Sequence, residues 1–418
     1  MPVTRRFFMK SGAMAVVGTS AIPSFLTRSV FAEATTARAQ GKKLIVIFQR
    51  GAADGLSVVV PYREPSYYQY RSSIAIPQNQ VIDLDGFFGL HPAMQPLKTL
   101  WEQKHLAVVH AAGSPDPTRS HFDAQDYMES GTPGVKSTRD GWLNRALAAE
   151  DAAHSGTGQS GRHSPFRALA FSPQIPRTLE GPVPVVALDN IQNFSVNPTP
   201  IAASFAAMYD ESSDAILHGT GAETFEAVRM LRTANPEKYT PAAGANYPGG
   251  AFGNSMKQIA QLLKADLGVE AAFADIGGWD THQNQGGSEG QLAGRLREFS
   301  QSLAAFWIDM GDQAEDLTLV TMSEFGRTVH QNGTGGTDHG HANVMFLLGG
   351  RVGGGKVYGE WPGLAPENLY QQRDLAITTD YRRVLGEAVV KTLGADNLGM
   401  VFPGVPLHSR NFLNILKA

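Results

Sequence analysis

The chain has no cysteine among its 418 residues. Disulfides, thiolate metal sites and cysteine nucleophiles are therefore excluded, and any metal would have to be taken by histidine and carboxylate. It also lacks the run of roughly 20 apolar residues that a membrane-spanning helix needs. The apolar stretch nearest the start, residues 11–26, is shorter and is broken by Gly, Ser and Thr. Charge is sparse at 18%, with 35 basic against 39 acidic residues and no basic stripe, which disfavours nucleic acid as a partner.

Glycine, by contrast, is abundant at 45 residues, pointing to many tight turns rather than a helical bundle. The opening segment has its own logic. Paired Arg5 and Arg6, then Phe8 and Lys10, lead into a weakly apolar stretch that ends in Val30-Phe31-Ala32, with small residues where a signal peptidase cuts. Residues 1–32 thus read as a twin-arginine signal peptide, the address for export in the folded state to the periplasm or exterior. Its removal takes away Arg5, Arg6, Lys10 and Arg28 and no acid, moving the net charge from −4 to about −8. No stable membrane span is expected after processing.

Beyond a polar linker at 33–42, residues 43–418 read as one domain. The apolar run Leu44 to Phe48 in "KKLIVIFQRGAADG" and "LAVVHAAG" read as buried strands separated by the helical "HPAMQPLKTLWEQKH". "AAFADI", "LTLVTMSEFG" and "NVMFLLGG" repeat the pattern around a long amphipathic helix from Gly290, and several helical stretches at 200–265 are expected to form an insertion or cap. The expected fold is α/β, a central, mostly parallel sheet with helices on both faces and its site at the strands' C-terminal ends.

Polar clusters recur where those strands end. They are Asp54 in "RGAADG", Ser120 and His121 in "PTRSHFD", Asp280 and His282 in "GGWDTHQNQ", Glu324 and Arg327 in "MSEFGRT", and Asp338, His339 and His341 in "GGTDHGHAN". Three metal-competent side chains in the last turn, and two in the third, are what a Zn²⁺ or Mn²⁺ site takes when thiolate is absent. Each cluster also has a plain structural reading. Asp54-Gly55 is a common turn dipeptide, Asp280 can brace the turn after Gly278, and Glu324 with Arg327 can be an ordinary salt bridge. His121 beside Ser120 invites a base role, but adjacent side chains diverge. His339 and His341 alternate, so one is expected to face the metal and the other to brace it. His341, nearer the strand, is the expected ligand.

Taken in order, "FQRGAADGLSVVVPY", "HAAGSPDPTRSHFDAQDYMESG", "GGWDTHQNQ" and "TMSEFGRT…GGTDHGHAN" resemble the alkaline phosphatase/sulfatase superfamily. Within it they resemble an exported branch known as domain of unknown function 1501. The resemblance implies an alkaline-phosphatase-like three-layer sandwich in which Asp and His at strand ends hold one or two divalent metals (Zn²⁺, Mn²⁺ or Ca²⁺). It implies Ser120 as nucleophile toward phosphorus or sulfur, and Asp54, Asp280, His282, Glu324, Asp338, His339 and His341 as the metal-binding set; Arg327 or Arg119 is the expected anion brace. The sequence departs from the superfamily pattern at three places. Gln49-Arg50 replaces the first metal-binding acid, Glu324-Phe325 replaces an Asp-His pair, and Pro115 stands where sulfatases carry the residue that becomes formylglycine.

The function expected on these grounds is a metal-dependent hydrolase of small anionic phosphoric, less readily sulfuric, esters. The alternative is a non-catalytic binding or assembly protein with a degenerate metal site; the sequence names no partner protein. Replacing both Arg5 and Arg6 with Lys should hold the precursor in the cytoplasm, because twin-arginine recognition reads two guanidinium groups. Fractionation followed by N-terminal sequencing checks this; periplasmic protein starting at residue 33 in the double variant would refute the signal assignment.

Overall fold

In the first strand, β1 (Lys43–Gln49), Leu44, Val46 and Phe48 enter one hydrophobic core while Ile45 and Ile47 enter another. An apolar residue at every position is the signature of a strand covered on both faces. The computed structural model describes residues 41–154, 164–191 and 238–417, together with Met230. The segment expected to be an export signal (1–32), most of the expected linker (33–42) and much of the expected 200–265 insertion or cap lie outside these residues.

The short strands β2 (Val59–Val60), β3 (Ile82–Asp83) and β4 (Gly89–Leu90) pair among themselves in a small antiparallel sheet. The main sheet among the described residues has nine strands. They are β1, β5 (Leu106–Gly113), β6 (Ala168–Phe171), β7 (Val186–Ala187), β8 (Ala271–Ile276), β9 (Leu317–Met322), β10 (Asn343–Leu348), β11 (Lys356–Tyr358) and β12 (Thr379–Asp380). Their order is β11-β5-β10-β9-β1-β8-β6-β7, with β12 also on β5. Every pairing is parallel except those of β10, which runs antiparallel to both β5 and β9.

Two helical layers cover the sheet. On the Ile45 face lie Ala251–Lys264 and Gln291–Met310, burying Met256, Ile259, Leu296, Phe299 and Leu303. On the Leu44 face lie Trp142–His154 and Tyr381–Ala388, burying Leu143, Leu147, Val384 and Leu385. The architecture is a three-layer α/β sandwich. Ala251–Lys264, which the sequence assigns to the 200–265 insertion, is part of the covering layer and not a separate cap, because its apolar stripe packs on β8 and the long helix. No helix among the described residues is long and apolar enough to cross a membrane.

The register aligns the strand ends. Gln49 lies level with Ile276 of β8 and Phe48 with Met322 of β9, so the loops after all three strands leave from one edge. Asn343, the first residue of β10, lies level with Ala112 near the end of β5. The antiparallel direction of β10 therefore brings the turn before it to the same edge. A parallel β10 would have sent "TDHGH" to the opposite one.

His110, buried inside β5, is held as a neutral imidazole. Its Nδ1 accepts the Ala111 N–H at 2.9 Å and its Nε2 donates to the Val59 carbonyl at 3.1 Å. A second proton would set Nδ1–H against another donor, and burial lowers its pKa to about 4. The folded value lies below the ordinary 6.5, so the unfolded chain binds the proton first. This contribution is intact above pH 6.5 and is lost as the pH falls toward 4, about 3 kcal/mol over the window. Unfolding free energy should fall through this group by about 2 kcal/mol between pH 7 and pH 5. His110→Gln should flatten the slope by that amount in denaturant titrations at the two pH values; an unchanged slope would contradict it.

Candidate metal centre

Three loops at the common edge are tied together before any ligand is considered. The loop after β1 turns at Gly51, where φ is +113° and a Cβ would sit 2.8 Å from the Asp280 backbone nitrogen, so only glycine allows this approach to the loop after β8. Arg327, after β9, is buried. Its Nε donates to Ala52 O at 2.7 Å, Nη1 to Thr337 O at 3.1 Å, and Nη2 to Gly51 O, to Trp279 O at 3.1 Å and to Asp280 Oδ1 at 2.6 Å. The turn before β10 is stitched to the same knot, with Thr328 N bonding Asp338 O at 2.9 Å and Gly340 N bonding Gly326 O at 2.8 Å. A Cβ at residue 340 would lie 2.3 Å from Arg327 C, which excludes larger residues there.

On this frame three imidazoles converge on one carboxylate oxygen. Asp280 Oδ1 lies 3.0 Å from His282 Nε2, 3.4 Å from His339 Nε2 and 3.6 Å from His121 Nε2. The two nitrogens of His282 and His339 are 2.9 Å apart. His121, which opens helix α1 (His121–Ser130), Asp280 and His339 together form a group of donors able to hold a metal ion. Phe325 lies against this group, its ring 5.0 Å from His121 and 4.9 Å from His339.

The outer nitrogens fix which atoms face inward. His121 Nδ1 is 2.8 Å from Glu324 Oε1, His282 Nδ1 is 3.0 Å from Asp338 Oδ1, and His339 Nδ1 is 2.8 Å from the Arg119 carbonyl. Carboxylate and carbonyl oxygens only accept, so each Nδ1 carries a proton, and the neutral form of each ring presents its Nε2 lone pair inward. Three lone pairs and a carboxylate oxygen therefore face one another. His121 Nε2 is buried and makes no hydrogen bond. Such a group of acceptors requires positive charge among them, a proton or a cation. The spacing fits a cation: ligands at 2.0–2.1 Å in tetrahedral array lie about 3.3 Å from each other, close to the distances found here. Imidazoles braced through Nδ1 by carboxylates and carbonyls are the usual support of metal-binding histidines.

Electrostatics hold the acids ionised. Desolvation pushes Asp280 upward, but the Arg327 hydrogen bond and charge outweigh it and hold its pKa below the ordinary value. Glu324 is buried, yet hydrogen bonds from His121, Gln125 and the Gly51 N–H hold its pKa down. The bond to Glu324 in turn raises His121, while burial lowers His339.

The structure brings Asp280, His282, Asp338 and His339 together, and adds His121, which sequence reasoning left as an improbable base for Ser120. A histidine within hydrogen-bonding reach of the acid in "SEFG" is not visible from spacing. Four expectations need correction. His341 faces away, stacked on Tyr370 at 4.1 Å with its pKa lowered to about 4 by burial; the alternation makes His339 the inward residue. Asp54 is fully buried and spent on Arg71, with bonds of 2.6 and 2.9 Å, so its role is structural, through an ion pair and not a turn. Glu324 stands behind His121 and not among the inward-facing donors. Arg327 has no free edge for an anion, since carbonyls and Asp280 take its donors. Ser120 is exposed beside His121, and its hydroxyl makes no helix-cap hydrogen bond.

Fold and site thus define an α/β protein with a His/Asp cluster at one sheet edge. The chain matches the family described as "Protein of unknown function (DUF1501)" over residues 41–394, and belongs to that family. No curated protein matches it. Solved structures similar to it include the C-terminal periplasmic domain of EcEptC from Escherichia coli in complex with Zn, at 9% identity over 75% of this chain and 74% of that one, TM-score 0.34. Others are the lipoteichoic acid synthase LtaP from Listeria monocytogenes (9% identity, 81% and 71%, TM-score 0.33) and the phosphonate monoester hydrolase SpPMH from Silicibacter pomeroyi (11%, 88% and 78%, TM-score 0.30).

Asp54→Asn should separate structure from metal binding. It leaves the Arg71 guanidinium buried without its counter-charge, a loss of about 3–5 kcal/mol in unfolding free energy, while metal uptake per folded chain stays at the wild-type level. Loss of metal from well-folded variant protein would return Asp54 to the ligand set.

Proposed function

We propose that the chain is an exported, metal-dependent hydrolase of phosphoric esters, with sulfuric esters as the second choice. The observation that carries this reading is the convergence of the His121, His282 and His339 Nε2 lone pairs on the Asp280 carboxylate. His121, Asp280 and His339 would hold the cation, with His282 as a further donor. Glu324, Asp338 and the Arg119 carbonyl would keep the rings in register. Glu324 and Asp338 also bring two negative charges behind the imidazoles, while Asp280 is neutralised by Arg327. That balance suits a divalent ion. Imidazole nitrogens favour Zn²⁺ or Mn²⁺ over Ca²⁺, which takes six to eight oxygens.

A divalent ion bound there would supply a Lewis acid that neutralises charge on an ester's non-bridging oxygens. The chain's own residues would do the rest. Asp280 and Asp338 keep 47% and 51% of their side-chain surface exposed, which leaves the cluster open to a small anionic ester. Ser120 is the candidate nucleophile. Its two neighbours are both tied to the cluster, Arg119 through its carbonyl on His339 and His121 as a donor. It also stands at the positive end of a ten-residue helix, where a developing negative charge is favoured.

A second reading, a non-catalytic binding or assembly protein, draws support from Asp54 and His341, both committed to structural partners. They leave one donor group where the superfamily resemblance allows two. One set of measurements separates the readings. Natively purified protein should carry close to one Zn or Mn per chain and hydrolyse a phosphate mono- or diester in a generic screen, and chelation should abolish that activity. Ser120→Ala should lose turnover with metal content and melting temperature unchanged. Protein that carries no metal, or that carries it without any ester hydrolysis, would overturn the hydrolase reading and favour the binder.

A further inference from the structure

The turn Tyr370–Leu375 attracts no attention in the sequence, yet it holds two parts of the cluster. Arg119, whose carbonyl fixes the His339 ring, is gripped by its own guanidinium. Nε and Nη2 donate to Asp374 Oδ2 at 3.2 and 2.6 Å, and Nη2 also reaches Gln371 Oε1 at 2.8 Å. From the next position in the turn, Arg373 Nη2 donates to the His339 carbonyl at 2.7 Å. His339 is thus held at its ring through Arg119 and at its backbone through Arg373, and both holds originate in one short turn.

The turn is costly to build. Gln371 and Gln372 are consecutive non-glycine residues in the left-handed region, at φ 52° and 54°. The Asp374 side chain has no exposed surface, and its Oδ1 is buried without a hydrogen-bond partner. An ion pair buried with one oxygen unsatisfied is poor value for stability alone. Backbone strain concentrated in one loop beside a cluster of functional groups marks a segment kept for placement.

We propose that Asp374 is a positioning residue for the metal centre, acting through Arg119 to aim the His339 ring and to seat the adjoining Ser120. The inference rests on the metal-binding reading given above. By fixing the Arg119 backbone, Asp374 sets the carbonyl that orients His339 Nδ1–H, and so the direction of the opposite Nε2 lone pair. Residues that orient a metal ligand in this way typically change metal affinity by 10- to 100-fold when altered.

The test compares wild type, Asp374→Asn and Arg119→Gln, with Asp54→Asn as a control that breaks a buried pair elsewhere. Zn²⁺ affinity is measured by competition with a chromophoric chelator, and the visible absorption of the Co²⁺-substituted protein reports ligand geometry. Both Asp374→Asn and Arg119→Gln should weaken Zn²⁺ binding about 10- to 100-fold and alter the Co²⁺ bands, and the double variant should lose little more than either single one. Asp54→Asn should lower the melting temperature with affinity and spectrum unchanged. Arg119, 28% exposed, can swing into solvent when altered, so its variant keeps the test usable if Asp374→Asn fails to fold. Wild-type affinity and an unaltered Co²⁺ spectrum in folded variants would overturn the positioning role. A wild-type chain that takes up neither metal would instead overturn the reading beneath it.

Discussion

The loops at the edge that carries the His/Asp cluster are all tied to one buried guanidinium. Arg327 comes from the loop after β9, but its donors end on the loops after β1 and β8 and on the turn before β10. Burying a cation costs several kcal/mol unless every donor is met and the charge is balanced. Here carbonyls meet the donors and Asp280 balances the charge. That second task defines the site. A carboxylate recruited as counter-ion to Arg327 cannot turn away, so its Oδ1 stays fixed where the three imidazoles converge. Structure and candidate chemistry share the same oxygen.

Sequence reasoning reached the sheet because each strand buried on both faces announces itself as a run of apolar residues. It reached the edge because polar clusters follow "KLIVIFQ", "AAFADI" and "LTLVTM" directly. Strand direction was hidden. Nothing in "NVMFLLGG" distinguishes a parallel from an antiparallel central strand, and only the reversal of β10 unites a turn that precedes one strand with loops that follow others. The convergence of Asp280 with His339 was therefore expected for an incomplete reason.

Side-chain commitment was hidden as well. Asp54 and Arg71 are 17 residues apart, and no local pattern pairs them; the pairing exists because the chain between them folds back through a short helix and a turn. Between His339 and His341 the alternation correctly says that only one can face inward, but parity alone cannot say which. Tyr370, distant in sequence, decides it by offering its ring to His341. The same turn supplies Asp374 and Arg373, which "NLYQQRD" presents as an ordinary polar loop.

These commitments bear on how many cations the edge can hold. Gln49 occupies the end of β1, uncharged and buried with both amide atoms unpaired. Asp54 is locked to Arg71, His341 is stacked on Tyr370, and Phe325 presents a ring where a further donor would stand. The inward-facing donors left among the described residues are His121, His282, His339 and one oxygen of Asp280. On the proposed reading, four donors at a single locus would serve one divalent ion. With a single ion, one cation alone would stabilise charge on the ester, and no second metal would be present to ionise the attacking hydroxyl. On the proposed reading, Ser120 would then rely on the positive end of α1, where a developing negative charge is favoured.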